Sequence, residues 1–116
     1  DFAATKTLAL SHGTWRGIEV GGYEIHHGVC RSLEDAEAFL DGVHVGPVWG
    51  TMWHGAFEHD EFRRTWLADA ARHAGSSWRP HSDELGYQAR REAMIETLAD
   101  ALEAHVDVDR ILHLAR

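Results

Sequence analysis

The apolar pattern of this chain changes period at one point, and that change narrows the possible folds more than any other feature. Val48-Trp49-Gly50-Thr51-Met52-Trp53 is a short apolar run bounded by Pro47 and Gly55. Its length fits a buried strand better than a helix. Over residues 58–74 the apolar positions instead follow a helical period. Phe62, Trp66 and Ala70 lie four apart, with Leu67 and Ala71 beside them, which makes one apolar helix face. Glu58, Asp60 and Glu61 suit the positive end of that helix, Arg72 and His73 its negative end, and Gly75 offers a stop. After Pro80, Ser82, Asp83 and Glu84 announce a second helix, with a stripe of Met94, Ile95, Leu98, Ala101, Leu102 and His105. Asp107 then caps a last short helix through Ile111, Leu112 and Leu114.

Ahead of Pro47 the chain reads as strands. Thr5, Thr7, Leu8 and Leu10 have mixed strand patterning, and Ser11-His12-Gly13-Thr14 predicts a turn. Gly21 and Gly22 predict a second break. Tyr23-Glu24-Ile25-His26 alternates as a strand does, and Gly28 closes it. Residues 31–46 admit two readings: a helix over 33–40 capped by Ser32, with Glu34 and Asp35 in its first turn, or a hairpin. The order is strands first, helices after. This implies α+β, or the back end of an α/β sheet whose front lies elsewhere. The 116 residues suit one domain or a piece of one. With Asp1 in first place, a processed or excised product is expected.

Composition removes several function classes. No apolar run approaches the roughly 20 residues that span a bilayer, so no membrane protein is expected. The opening residues have neither the basic nor the apolar segment of a secretory signal. Nineteen acidic residues against 11 Lys and Arg give a net charge of -8. That balance argues against nucleic acid as a partner, since few cations are available to displace counterions from phosphates. A single cysteine excludes an internal disulfide framework and fits a reducing, cytoplasmic setting.

Two segments hold the candidates for chemistry. His54 ends the apolar run and is followed by Gly55 and a helix, a position where a sheet presents side chains at its edge. A neutral imidazole there can take a proton from a nucleophile. The plainer reading is a histidine hydrogen-bonded for structure alone. In the second segment, Glu24 and His26 share one strand face and His27 points to the other. They either flank a site or make a polar strand face. Despite ten histidines there is no HExxH and no CxxC, and His54 and His59 are five apart, so no specific metal site is expected. Cys30 has Arg31 beside it but lacks the small neighbours of a nucleophile elbow, and it reads as structural.

Taken together the segments resemble the cobyric acid synthase family. Gly22-Tyr23-Glu24-Ile25-His26-His27-Gly28 looks like its GYEIHxG motif, and residues 48–57 look like its V-x-G-T-Y-L-H-G-L-F motif. Asp60-Glu61-Phe62-Arg63-Arg64 matches D-x-F-R-R, and the tail from Leu98 to Leu112 resembles LAD…LDxDRIL. The resemblance implies the C-terminal portion of a class I-like glutamine amidotransferase domain with a flavodoxin-like α/β core. In such enzymes a cysteine attacks the glutamine amide, and a histidine acts as base and then as acid for the departing ammonia. An ATP-dependent synthetase domain uses that ammonia to amidate carboxylates of adenosylcobyrinic acid a,c-diamide in cobalamin biosynthesis. His54 matches the catalytic histidine, while Glu24 and His26 fall in the other motif and take a supporting role near the site.

The departures from the family matter as much. Its nucleophilic cysteine lies upstream in a glycine-rich elbow, and Cys30 does not match it. The ATP-binding domain, with its expected Mg, is also upstream, so no cofactor is expected on these residues. Ala56 stands where many class I amidotransferases have Glu, which implies a Cys–His pair rather than a triad, and Met52-Trp53 replaces the commoner Tyr-Leu. The expected partner is therefore the upstream half of the same polypeptide. Strands deprived of neighbours would also favour self-association as a homo-oligomer. Two other readings stand beside this one: the glutaminase subunit of a Mur ligase-like complex that amidates lipid II, and a non-catalytic assembly module that kept the fold.

Overall fold

A two-residue turn at Arg16 and Gly17 organises the first half of the molecule. Both residues have positive φ, 50° and 81°, the twist that lets two strands pair directly across a tight turn. Strand β1 (Phe2–Trp15) and strand β2 (Ile18–Gly28) thus form a long antiparallel hairpin, in register from Trp15↔Ile18 out to Thr7↔His26 and irregular beyond. An arginine at positive φ is unusual. Here its guanidinium lies 4.6 Å from the centre of the Trp15 ring and 3.0 Å from Oδ1 of Asp69. The expected turn at residues 11–14 does not occur, nor does the break at Gly21 and Gly22; both glycine sites lie inside strands. The glycines serve close packing, because a Cβ on Gly13 would stand 3.0 Å from the Trp53 ring.

The computed structural model describes residues 2–29, 31, 35–81 and 85–115. They fall into two compact units, residues 1–82 and 83–116. In the first unit, three short strands follow the hairpin: β3 (Glu37–Phe39), β4 (Gly42–Val45) and β5 (Val48–Gly50), an antiparallel meander. The hairpin reading of this region therefore holds over 37–45, and the helix reading does not. Its start at Ser32, Leu33 and Glu34 lies outside the described residues. Gly42 has no room for a side chain, since a Cβ there would overlap the carbonyl of Gly50 on β5. The expected strand over 48–53 is shorter than its apolar run. Pairing stops at Gly50, and the three residues before His54 are held by side-chain hydrogen bonds instead.

A single 3-10 turn (Ala56–Glu58) leads into helix α1 (Asp60–His73). The helix begins two residues later than its acidic residues suggest, because His59 still has extended backbone. It ends as its sequence predicts. The N–H groups of Gly75 and Ser76 return to the carbonyls of Arg72 and Ala71, at 3.1 and 2.8 Å, with Gly75 at φ 69°. Phe62 on α1 is fully buried with Trp15, Val20, Phe39 and Ala56. Edge-on contacts of Trp15 with Phe39 and Phe62, at 5.8 and 5.6 Å, join the hairpin, the meander and the helix. Each such pair contributes about 0.5–1.5 kcal/mol beyond the area it buries. Asp69 is buried on the same helix and is ion-paired to Arg16 and Arg72.

The second unit contains α2 (Tyr87–His105) and α3 (Val108–Leu114). Asp107 caps α3 as expected, accepting from the N–H of Arg110 at 2.9 Å. The apolar stripe of α2 is present, yet Met94, Ile95, Leu98 and Leu102 are exposed. Among the described residues no helix is long and apolar enough to cross a membrane. The strands-first, helices-second order holds, and the described strand pairs are antiparallel.

Candidate functional site

Successive residues of β2 point to opposite sides of the hairpin, and this separates two groups of side chains. The inner side carries Val20, Gly22, Glu24 and His26, paired with Gly13, Ser11, Ala9 and Thr7; the outer side carries Tyr23 and Ile25, paired with Leu10 and Leu8. His54 joins β2 as a one-residue antiparallel bridge. Its N–H donates to the Tyr23 carbonyl at 2.8 Å, and the Tyr23 N–H donates back at 3.0 Å. The two rings stack, with centroids 5.2 Å apart and planes 16° from parallel. His54 is exposed. Among the described residues its ring has no hydrogen-bond partner, so both nitrogens remain open to a ligand. Gly55 follows at φ 75°, a conformation that turns the chain from the bridge into the 3-10 turn.

The inner side holds a polar chain. The Ser11 hydroxyl donates to Oε1 of Glu24. His26 lies 2.9 Å through Nε2 from Oε2 of Glu24, and 2.8 Å through Nδ1 from the Gly28 carbonyl. Both partners accept only, so the ring satisfies both as an imidazolium. The Ser11 and His26 hydrogen bonds hold the Glu24 carboxyl below its usual range. The Glu24 hydrogen bond raises His26, and the Gly28 carbonyl and the charge of Asp41 support it against desolvation. Asp41, on the turn between β3 and β4, accepts from the Thr51 hydroxyl and from the Met52 N–H at 3.1 Å. Thr51 in turn accepts from the Trp53 N–H at 3.1 Å. The segment leading to His54 is thus tied to the meander by polar groups.

Three residues were expected at the site, and the structure groups two of them. Glu24 and His26 are joined, while His54 faces the other side of β2, and among the described residues no hydrogen bond links its ring to either. Donor atoms of Glu24, His26 and Asp41 lie within 4.8 Å of one another. Both His26 nitrogens already face acceptors, so a cation there would have to displace one of those bonds. Cys30 lies outside the described residues. Sequence reasoning missed Tyr23, Ser11 and Asp41. The strand alternation alone would have placed Tyr23 opposite Glu24, but Ser11 becomes visible only once the turn at Arg16 is known.

Curated relatives match the chain along its whole length. A cobyric acid synthase of Cutibacterium acnes is 99% identical over 100% of this chain. The chain is thus homologous, over its whole length, to one stretch of cobyric acid synthases. Cobyric acid synthases of Mycolicibacterium gilvum and Mycobacterium sp. strain KMS are 43% and 46% identical, over 99% and 97% of the chain. The chain spans 24% of the length of the Cutibacterium acnes cobyric acid synthase and 22% of each of the other two. No protein-family model and no solved structure matches it.

Proposed function

We propose that this chain supplies the general base of a glutaminase site within a cobyric acid synthase, and that His54 is that base. The observation that carries the reading is the state of the His54 ring: exposed, fixed through its backbone and by stacking on Tyr23, with neither nitrogen engaged among the described residues. A base must be positioned and also free to accept a proton. In this reading a cysteine from the rest of the longer polypeptide attacks the glutamine amide. His54 takes the thiol proton and returns it to the departing ammonia. ATP and Mg serve the synthetase part, where the ammonia amidates carboxylates of adenosylcobyrinic acid a,c-diamide. The flavodoxin-like core implied by the family would be completed by that same remainder. Glu24 and His26 act indirectly, by stiffening β2 behind Tyr23.

The test is glutamine hydrolysis by the longer protein carrying His54→Ala. Loss of a general base lowers kcat by about 10²–10⁴-fold. His26→Gln should stay within about tenfold of the parent, as expected of a supporting group. The 116-residue chain alone should show no turnover, since covalent catalysis needs nucleophile and base within about 2.6–3.2 Å. Unchanged hydrolysis by the His54→Ala protein would overturn the assignment.

A further inference from the structure

Tyr23 and Gly21, two residues apart on β2, turn their backbone groups toward the same strand edge, the one facing away from β1. One such step along a strand is about 6.6–6.8 Å. His54 takes the Tyr23 position through its one-residue bridge. An antiparallel strand running on from His54 would bring Ala56 opposite Gly21, but the chain leaves the edge there. Gly55 turns away at φ 75°, Ala56 is buried in the core, and its carbonyl accepts the His59 N–H at 3.3 Å inside the 3-10 turn. The Gly21 N–H thus has no backbone partner on this edge. Nε2 of His59 accepts it instead, at 3.1 Å. The glycine leaves room for this approach, since a Cβ at position 21 would stand 3.2 Å from Nε2 of His59 and 3.4 Å from Nδ1 of His12. Residues 54–59 are therefore fastened to β2 at both ends, by backbone at His54 and by a side chain at His59. The His59 carbonyl also accepts the Arg63 N–H at 2.9 Å, so the second fastening reaches the first turn of α1.

We propose that His59 is a positioning residue for His54: its imidazole stands in for the missing ladder bond, closes residues 54–59 on β2 and so fixes where the His54 ring is presented. A bridge of one residue has two hydrogen bonds and leaves the segment beyond it free to pivot. The second attachment at Gly21 removes that pivot, and a misplacement of about 1 Å can cost a reaction about 10²-fold. The role sets a requirement on the His59 ring. Nε2 must keep its lone pair, so the ring acts in its neutral form with the proton on Nδ1, and an imidazolium cannot accept the Gly21 N–H. The attachment itself stands on the hydrogen bond and on the course of the backbone. Its service to catalysis rests on the assignment of His54 as the base.

Two variants of the longer protein test the proposal. His59→Leu keeps apolar bulk and removes the acceptor, while His59→Gln places a carbonyl oxygen near the position of Nε2. Amide exchange at Gly21 should rise about tenfold in His59→Leu and stay near the parent rate in His59→Gln; an unchanged rate in His59→Leu would overturn the attachment. In glutamine hydrolysis, His59→Leu should lower kcat about tenfold with KM within about twofold, because placement of the base is lost rather than substrate binding. His59→Gln should recover kcat to within about threefold of the parent, and an equal loss in both variants would overturn the role of the acceptor. The double variant separates positioning from a general structural effect. With His54→Ala already present, adding His59→Leu should change the residual rate by less than about twofold, since a group that acts through His54 has nothing left to place. A further tenfold loss would show that His59 acts elsewhere and overturn the proposal. Unchanged hydrolysis by His54→Ala alone would remove the base and with it the catalytic part, while exchange at Gly21 decides the attachment independently.

Discussion

Gly22 and His54 approach so closely that a Cβ on Gly22 would stand 2.8 Å from the His54 carbonyl oxygen and 3.3 Å from Cβ of Trp53. That oxygen accepts the Tyr23 N–H, so the obstacle is backbone already engaged in the bridge and cannot swing aside. Gly22→Ala should separate the bridge or bend β2, at a cost of about 1–3 kcal/mol. Gly50→Ala meets nothing within 4 Å and should change stability far less. Urea unfolding followed by tryptophan fluorescence checks both. Equal midpoints for the two variants would mean that the bridge does not constrain position 22.

Asp69 is buried, and its carboxylate meets Arg16 from the hairpin turn and Arg72 from its own helix. Burial pushes its carboxyl up, but the Arg16 hydrogen bond and the two arginine charges outweigh this and hold it below its ordinary value of 3.8. Arg16→Met would leave the carboxylate buried with one cation and remove a charge-assisted bond. The expected loss is about 1–3 kcal/mol at neutral pH. Because the folded value is depressed, this stability is present above about pH 3.8 and is lost as pH falls through the folded value. The variant should therefore unfold at a higher pH than the parent in an acid titration followed by circular dichroism.

The arginine turn also marks the limit of what the sequence displays. The Tyr23–Gly28 half of strand β2, helix α1 and the Asp107 cap are legible because each rests on local chemistry: alternation, a four-residue period, an acceptor side chain ahead of a helix. The turn at Arg16 and Gly17 is not, since arginine has no preference for positive φ, and its partner Asp69 is distant in sequence. Ser11-His12-Gly13-Thr14 carried the stronger turn composition, yet its glycine is used to admit Trp53. Position 54 stood out as a site candidate from its place between an apolar run and a glycine. The division of Tyr23 and Glu24 onto two faces, with His54 on one and the polar chain on the other, needed the pairing of β2 with both β1 and His54.

The polar chain on the inner face should make stability depend on pH in two directions. His26 is raised above 6.5 by its Glu24 hydrogen bond, so its contribution is complete below about pH 6.5 and disappears as pH rises through the folded value. Glu24 is lowered below 4.5 by its Ser11 and His26 hydrogen bonds; its contribution is complete above about pH 4.5 and disappears as pH falls through the folded value. The pair should support the hairpin most between these limits. Urea midpoints across pH 4–8 should peak in that interval, and His26→Gln should flatten the alkaline limb. An unaltered alkaline limb in the variant would show that another group causes it.

Asp41 gives the last prediction, because its carboxylate holds the segment just before His54 without touching the histidine. It accepts from the Thr51 hydroxyl and from the Met52 N–H at 3.1 Å, and Thr51 accepts from the Trp53 N–H. Strand pairing has ended at Gly50, so these bonds replace a ladder. Asp41→Ala removes two of the three, and each bond to a charged acceptor contributes about 1.5–3 kcal/mol. Local opening of residues 51–53 should become easier by about 1.4 kcal/mol or more, which is a tenfold rise in amide exchange at Met52. The amide of Trp66 lies inside α1 rather than on this segment and donates within the helix, so its exchange should stay near the parent rate. A uniform rise at both positions would identify global destabilisation instead, and no change at Met52 would show that the carboxylate does not restrain the segment that leads to His54.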